Sequence, residues 1–128
     1  MIERSTRQRD AIRRLIDGAR RPLSPKEILE GARAAVPRIG IATVYRCLKR
    51  LQADGIVSAV DLPGQAPRYE AAADDHHHHF HCTACDRVFD VHACPGEMAK
   101  LAPSGFRVER HELTLHGRCA DCLRRAGR

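Results

Sequence analysis

Two CxxC pairs, Cys82-Thr-Ala-Cys85 and Cys119-Ala-Asp-Cys122, stand on either side of a 33-residue interval and constrain this chain more than any other feature. Each pair brings two thiolates to one ion at Zn–S distances of about 2.3 Å, and two pairs close a tetrahedron. Four sulfurs leave no open coordination position, so such a site is structural. A redox CxxC would call for a thioredoxin-like βαβ pattern, which the sequence lacks. No run of apolar residues is long enough to span a bilayer, and Met1–Ser5 lack the apolar segment of a signal peptide. The chain is therefore expected to be cytoplasmic, where CxxC cysteines ligate zinc sooner than they form disulfides. Cys47 and Cys94 are read as free thiols.

A length of 128 residues allows one ordinary core or two small ones, and small cores need a staple such as zinc. Charge divides the chain. Residues 1–60 hold 13 Arg/Lys against 6 Asp/Glu, residues 61–128 hold 9 against 10, and all eight histidines lie in the second part. A basic half suited to phosphate thus precedes a His/Cys half suited to metal.

The pattern of the first half is helical. Ile12, Leu15 and Ile16 make one stripe within residues 6–18, with Gly18 as a stop. Ser24-Pro25-Lys26-Glu27 reads as a capping box with proline at the first helical position, followed by Ile28, Leu29 and Ala32; Pro37 and Gly40 then set a turn. From Ile41 to Ala53, Val44, Leu48 and Leu51 recur at helical spacing, Thr43, Arg46, Lys49 and Arg50 take the other faces, and Gly55 closes the segment. Ile56–Leu62 and Arg68–Ala71, joined by Pro63–Pro67, read as a β-hairpin. Three helices and a hairpin describe a winged helix-turn-helix whose third helix reads the major groove.

Residues 71–75 are expected to be a hinge, giving domains 1–71 and 72–128. Beyond it, His76–Cys82 and Arg87–Val91 are predicted strands, Pro95–Ala102 a short helix, and Phe106–His116 a longer strand with a bulge near Glu109–Arg110. The fold class is α+β.

The run His76-His77-His78-His79-Phe80-His81 leads into the first CxxC. An extended chain sends alternate side chains to opposite faces, so His77, His79 and His81 face one way and His76 and His78 the other. One run can thus serve two separate metal sites. A fusion tag would be terminal, and this run is internal. Glu70, Asp90, Glu97 and His111 are the donors available to complete the sites, all suited to Zn²⁺, Fe²⁺ or Mn²⁺. Spacing alone does not assign them.

Thr6-Arg7-Gln8-Arg9, Ala42-Thr43-Val44-Tyr45-Arg46-Cys47-Leu48 with Leu51 and Gly55, Arg68-Tyr69-Glu70, the histidine run, both CxxC pairs and Leu115-His116-Gly117 together resemble the ferric uptake regulator (Fur) superfamily of metal-dependent repressors. The resemblance covers nearly the whole chain. It implies a homodimer with an N-terminal winged helix on double-stranded operator DNA and a C-terminal α/β dimerisation domain carrying a Cys82, Cys85, Cys119, Cys122 zinc site. Thr43, Tyr45 and Arg46 fall where the family's recognition helix meets bases and phosphate, and Arg7 belongs to the basic N-terminus that adds backbone contacts. The sensing site maps onto Glu70, His77 and His79, with Asp90 added in peroxide-sensing members; the second site maps onto His76, His78, Glu97 and His111.

The chain departs from the family at Arg21-Pro22-Leu23, where many members place a sensing histidine at the position of Pro22. Asp61, His81 and His92 are alternative recruits to the site. Ala72 stands where zinc sensors carry a cysteine, for which Cys94 is a substitute. The expected function is a metal-dependent repressor of metal homeostasis or peroxide response, with structural Zn²⁺ and a regulatory Zn²⁺, Fe²⁺ or Mn²⁺. It is expected to act on neither membranes nor a small organic substrate. A metal buffer or chaperone would explain the histidines without the basic third helix. A zinc hydrolase or deaminase would need HExxH or HxE…PCxxC, and both are absent.

Overall fold

The structure is a computed structural model that describes residues 4–73, 76–96 and 98–127. It resolves into two compact units, Met1–Asp74 and Asp75–Arg128.

The first unit contains α1 (Arg4–Ala19), α2 (Pro25–Ala32), α3 (Ile41–Ala53), β1 (Val57–Val60) and β2 (Arg68–Ala71). Side chains four apart on a helix share a face, and Ile12 with Ile16, Ile28 with Ala32, and Val44 with Leu48 are buried in such pairs. Leu23, Ile39, Cys47, Leu51, Val57 and Tyr69 complete one apolar core. Cys47 is thus a packing residue. α1 and α2 approach closely at Gly31, where an added Cβ would stand 2.7 Å from a Leu15 methyl.

The helix ends are set by the residues the sequence offers for them. Ser24 Oγ accepts from the Glu27 amide and Glu27 Oε1 accepts from the Ser24 amide, each at 3.1 Å, so the capping box satisfies two N-terminal donors of α2. At the end of α3, Gly55 takes a φ of +73°. That turn lets the Gly55 amide reach the Gln52 carbonyl at 3.0 Å and the Ile56 amide reach Leu51 at 2.9 Å, the paired bonds of a Schellman ending. β1 and β2 pair antiparallel, and Leu23 exchanges two backbone hydrogen bonds of 2.8 Å with Tyr69, adding a third short segment to the wing. Pro22, the residue in place of the family's histidine, is fully buried beside that bridge.

The second unit is a three-stranded sheet in the order β4-β3-β5, with β3 (His78–Cys82) central, β4 (Val88–Val91) antiparallel to it and β5 (Thr114–Gly117) parallel. A 3-10 turn spans Met98–Leu101, and α4 (Ala120–Ala126) follows β5. The expected strand over 106–116 is confined to its last residues. Only Thr114–Gly117 pair with β3 as a strand, the Leu113 carbonyl accepting from the His79 amide at 3.2 Å just ahead of them; among the described residues 106–112 have no neighbouring strand, so they do not form a ladder. The expected helix at Pro95–Ala102 is reduced to the 3-10 turn. α4 was not anticipated, because its start is hidden inside the second CxxC.

Around α2, burial works to raise the Glu27 pKa. Hydrogen bonds from Arg21 (2.6 Å) and Ser24, with the charges of Arg21 and Arg68, outweigh it and hold the carboxyl below its ordinary value. A depressed carboxylate stabilises the fold fully above its unfolded value and loses that contribution as pH falls through its folded value. Glu27→Gln is therefore expected to cost about 1 kcal/mol near neutrality. The gap between variant and wild type should be full above pH 4.5 and close in more acid solution, as measured by urea unfolding.

Candidate metal centres and nucleic-acid face

Cys82 ends β3 and Cys85 sits in the turn that follows, where the Asp86 amide donates to the Cys82 carbonyl at 2.8 Å and Asp86 takes a φ of +66°. Aspartate tolerates that left-handed conformation better than most residues. The Thr83 amide donates to the Gly117 carbonyl at 2.7 Å, which draws the first turn against the end of β5. Cys119 then caps α4, and Cys122 lies in its first turn. The Cys82 and Cys122 sulfurs are 3.7 Å apart and those of Cys85 and Cys119 are 3.9 Å apart. Sulfurs held tetrahedrally at about 2.3 Å from zinc are separated by roughly 3.8 Å, so the four fit the ion.

The electrostatics point the same way. Backbone amides of Cys85 (3.4 Å) and Cys119 (3.3 Å) donate to Cys82 Sγ and lower its pKa to about 5 against the effect of burial. Arg87 donates from Nε to Cys85 Sγ at 3.2 Å and lowers that thiol too. Cys122 is pushed up to about 12 by its neighbour Cys119, by burial and by the other two sulfurs. Four thiols this close cannot all ionise without a cation among them. The guanidinium of Arg87, which also reaches Cys119 Sγ (3.7 Å) and Asp121 (3.4 Å), offsets part of the negative charge of a four-thiolate site.

The histidine run shows the alternation expected of it. In the β3–β4 register His79 stands opposite Asp90, and residues opposite each other share a face. Asp90 Oδ1 lies 3.5 Å from His77 Nε2 and 3.4 Å from His79 Nε2, spacings that suit donors around one ion. The His92 ring is 5.8 Å from that of His77. His81, though of the same parity, is engaged elsewhere: its Nε2 lies 2.7 Å from Asp86 Oδ1 and its ring rests against His116. Glu70 is buried within β2 of the first unit, and Asp61 is exposed beyond β1.

On the other face His76, His78 and His111 converge, with His76 Nε2 and His111 Nε2 3.1 Å apart. His111 is half-buried and belongs to this cluster. Burial and the neighbouring imidazoles hold His78 below the ordinary histidine pKa, which keeps it a neutral lone-pair donor. Glu97, expected here, lies outside the described residues. The structure adds Cys94, whose sulfur is 3.3 Å from His111, 3.4 Å from His78 and 3.7 Å from His76. The sequence reads Cys94 as a free thiol or as a substitute for the sensing-site cysteine missing at Ala72, and does not assign it to this cluster, because the path of the loop after β4 is not encoded in any periodicity.

In the first unit, α3 turns its apolar stripe inward and presents Ile41 and Tyr45 to solvent, the latter 50% exposed. Tyr45 is thus no core aromatic. Arg46 donates to Thr43 Oγ1 at 2.9 Å, and Lys49, Arg50 and Arg7 of α1 are also exposed. Among the described residues no helix is long and apolar enough to cross a membrane.

The sequence profile of the Ferric uptake regulator family matches residues 3–116. The transcriptional regulator FurA of Mycobacterium tuberculosis is 34% identical over 123 residues, 93% of this chain and 82% of that protein. The zinc uptake regulation protein of the same organism is 32% identical over 122 residues, 93% of this chain and 94% of that one. Among solved structures, the iron-containing ferric uptake regulator of Francisella tularensis superposes with a TM-score of 0.72 at 26% identity, covering 96% of this chain and 94% of that chain.

Replacing Cys85 by Ser is expected to remove one zinc per chain and to abolish cooperative unfolding of the second unit, because a small unit rarely folds without its staple. Metal analysis and urea denaturation would show it, and unchanged zinc content would contradict the four-thiolate centre.

Proposed function

This chain belongs to the ferric uptake regulator family of metal-dependent, DNA-binding transcriptional regulators, and from that premise we propose that it represses genes of metal homeostasis or peroxide response when a sensing metal is bound. The observation that carries the reading is the convergence of three donors at metal-ligand spacing: His77, immediately before the strand that also holds Cys82, His79 within that strand, and Asp90 on the neighbouring β4. Glu70 is the ligand that the family resemblance adds. Zn²⁺ or Fe²⁺, with Mn²⁺ as a further candidate, suits a set of two imidazoles and carboxylate oxygen. His76, His78 and His111 form a second site. Zn²⁺ at the four cysteines is structural. Members of the family are regulators rather than enzymes, and a closed four-sulfur centre offers no position for a reacting group.

Operator DNA is the proposed partner. The exposed Tyr45 is placed to press on a base methyl, while Arg46, Thr43 and Arg7 contact phosphates. A second copy of the chain is the other partner. Leu101 (81% exposed), Phe106 (71%), Leu123 (56%) and Leu115 (46%) expose apolar surface on the second unit. Residues 106–112 carry apolar side chains of an expected strand that has no partner strand among the described residues, and a two-fold related copy supplies one. A dimer sets two recognition helices against half-sites about one DNA turn apart, roughly 34–36 Å. Sensing metal would fix that spacing.

The test is a gel shift with protein that keeps its cysteine-bound zinc but is stripped of labile metal, titrated with Zn²⁺ and, anaerobically, with Fe²⁺. Either metal is expected to tighten operator binding at least tenfold, about 1.4 kcal/mol of coupling, and His79→Ala to remove the effect. Zinc activation at low free concentration identifies a zinc-uptake regulator, whereas activation by Fe²⁺ alone identifies an iron or peroxide sensor. Activation by neither would turn the reading toward a metal buffer. Arg46→Ala should weaken binding on every sequence alike and reduce the salt slope by about one.

A further inference from the structure

We propose that Cys94 supplies the fourth donor to the site of His76, His78 and His111, making it a three-imidazole, one-thiolate centre selective for Zn²⁺ over Fe²⁺ and Mn²⁺. The inference rests on the reading of that cluster as a metal site and gives it a specificity. Around zinc, tetrahedral imidazole nitrogens lie roughly 3.3–3.4 Å apart and a nitrogen and a sulfur roughly 3.6 Å apart. The observed separations are 3.1 Å for the His76–His111 nitrogens and 3.3, 3.4 and 3.7 Å from Cys94 Sγ to His111, His78 and His76. All four ligand atoms fall within 4.8 Å of one another. Three nitrogens and a sulfur on three separate segments do not meet at such distances by sequence adjacency. His78 comes from β3, Cys94 from the loop after β4, and His111 from the segment before β5.

The chemistry of the fourth donor decides which ion is held. The family resemblance places Glu97 in this role, and a carboxylate suits Fe²⁺ and Mn²⁺ as well as zinc. A thiolate carries the same charge but is soft, so exchanging one for the other leaves the net charge of the loaded site unchanged and narrows its selectivity toward zinc. The opposite face, with His77, His79 and Asp90, keeps an oxygen donor. One strand would then sort ions by side. The Leu113 amide donates to His78 Nδ1 at 3.2 Å. A metal at Nε2 places the ring proton on Nδ1, so loading opens that contact just ahead of β5.

Cobalt is the probe. Full-length protein with zinc retained at the four cysteines, checked by metal analysis after each titration, is loaded with Co²⁺ without DNA present. Wild type is expected to develop a thiolate-to-cobalt charge-transfer band in the near ultraviolet. Cys94→Ser should lose the band and bind the ion at least about tenfold more weakly, while Glu97→Gln keeps both. Cys94→Asp, which returns a donor without sulfur, should bind Co²⁺ without the band and shift preference from Zn²⁺ toward Mn²⁺. No band in wild type, or a band that survives Cys94→Ser while zinc is retained, overturns the proposal, as does an unaltered preference in Cys94→Asp. Since no operator is involved, these outcomes are independent of whether the protein regulates transcription.

Discussion

Four sulfurs within 4.8 Å of one another form the constraint on which the second unit depends. Gathering them sets Cys82, low in pKa, beside Cys122, pushed up to about 12. The conflict is resolved when one divalent cation sits among them. Little else holds this half together. Among its described residues those buried, apart from Val88, are Cys82, Cys119, His78 and His81, so the interior they form is largely made of metal-binding side chains. A core of that composition gains little from apolar burial, and coordination must take its place. The same knuckle that fixes Cys82 and Cys85 fixes the register of β3, and with it the direction in which every histidine of the run points.

The first unit is organised on the opposite principle. Its core is aliphatic, its helix ends are satisfied by Ser24, Glu27 and Gly55, and it has no need of an ion. A regulator benefits from this separation. The unit proposed to meet DNA draws its core from apolar side chains rather than from metal ligands, so metal can control its use without controlling its existence. Coupling of that kind is reciprocal: whatever factor metal contributes to operator binding, operator contributes to metal binding.

How much of this could be read from the sequence depended on whether the information was local. The capping box at Ser24, the apolar spacing of α3 and the glycine at its end are determined by residues a few positions apart, and the structure shows each of them. The division of the histidine run into two faces followed from the two-residue repeat of an extended chain, and Asp90 and His111 joined the faces that the family resemblance implied. The failures share a cause. Residues 106–112 read as part of a bulged strand, but a strand exists only beside another, and the described residues provide none there. Cys94 reaches the histidines through a loop whose course no periodicity records. α4 begins inside a motif already accounted for by zinc.

One consequence of the uninterrupted histidine run concerns heredity rather than binding. In most strands a shift of one residue turns every side chain to the wrong face. Here Phe80 and His81 are anchored by pairing with both β4 and β5, and Cys82 by pairing with β5, and the four residues before them are identical. Loss of one histidine codon would leave imidazoles at positions 77, 78 and 79 and bring aspartate, itself an oxygen ligand, to position 76. A repetitive tract is prone to such slips during copying. Loss of one residue from this one would still leave imidazole and carboxylate donors on both faces of the strand.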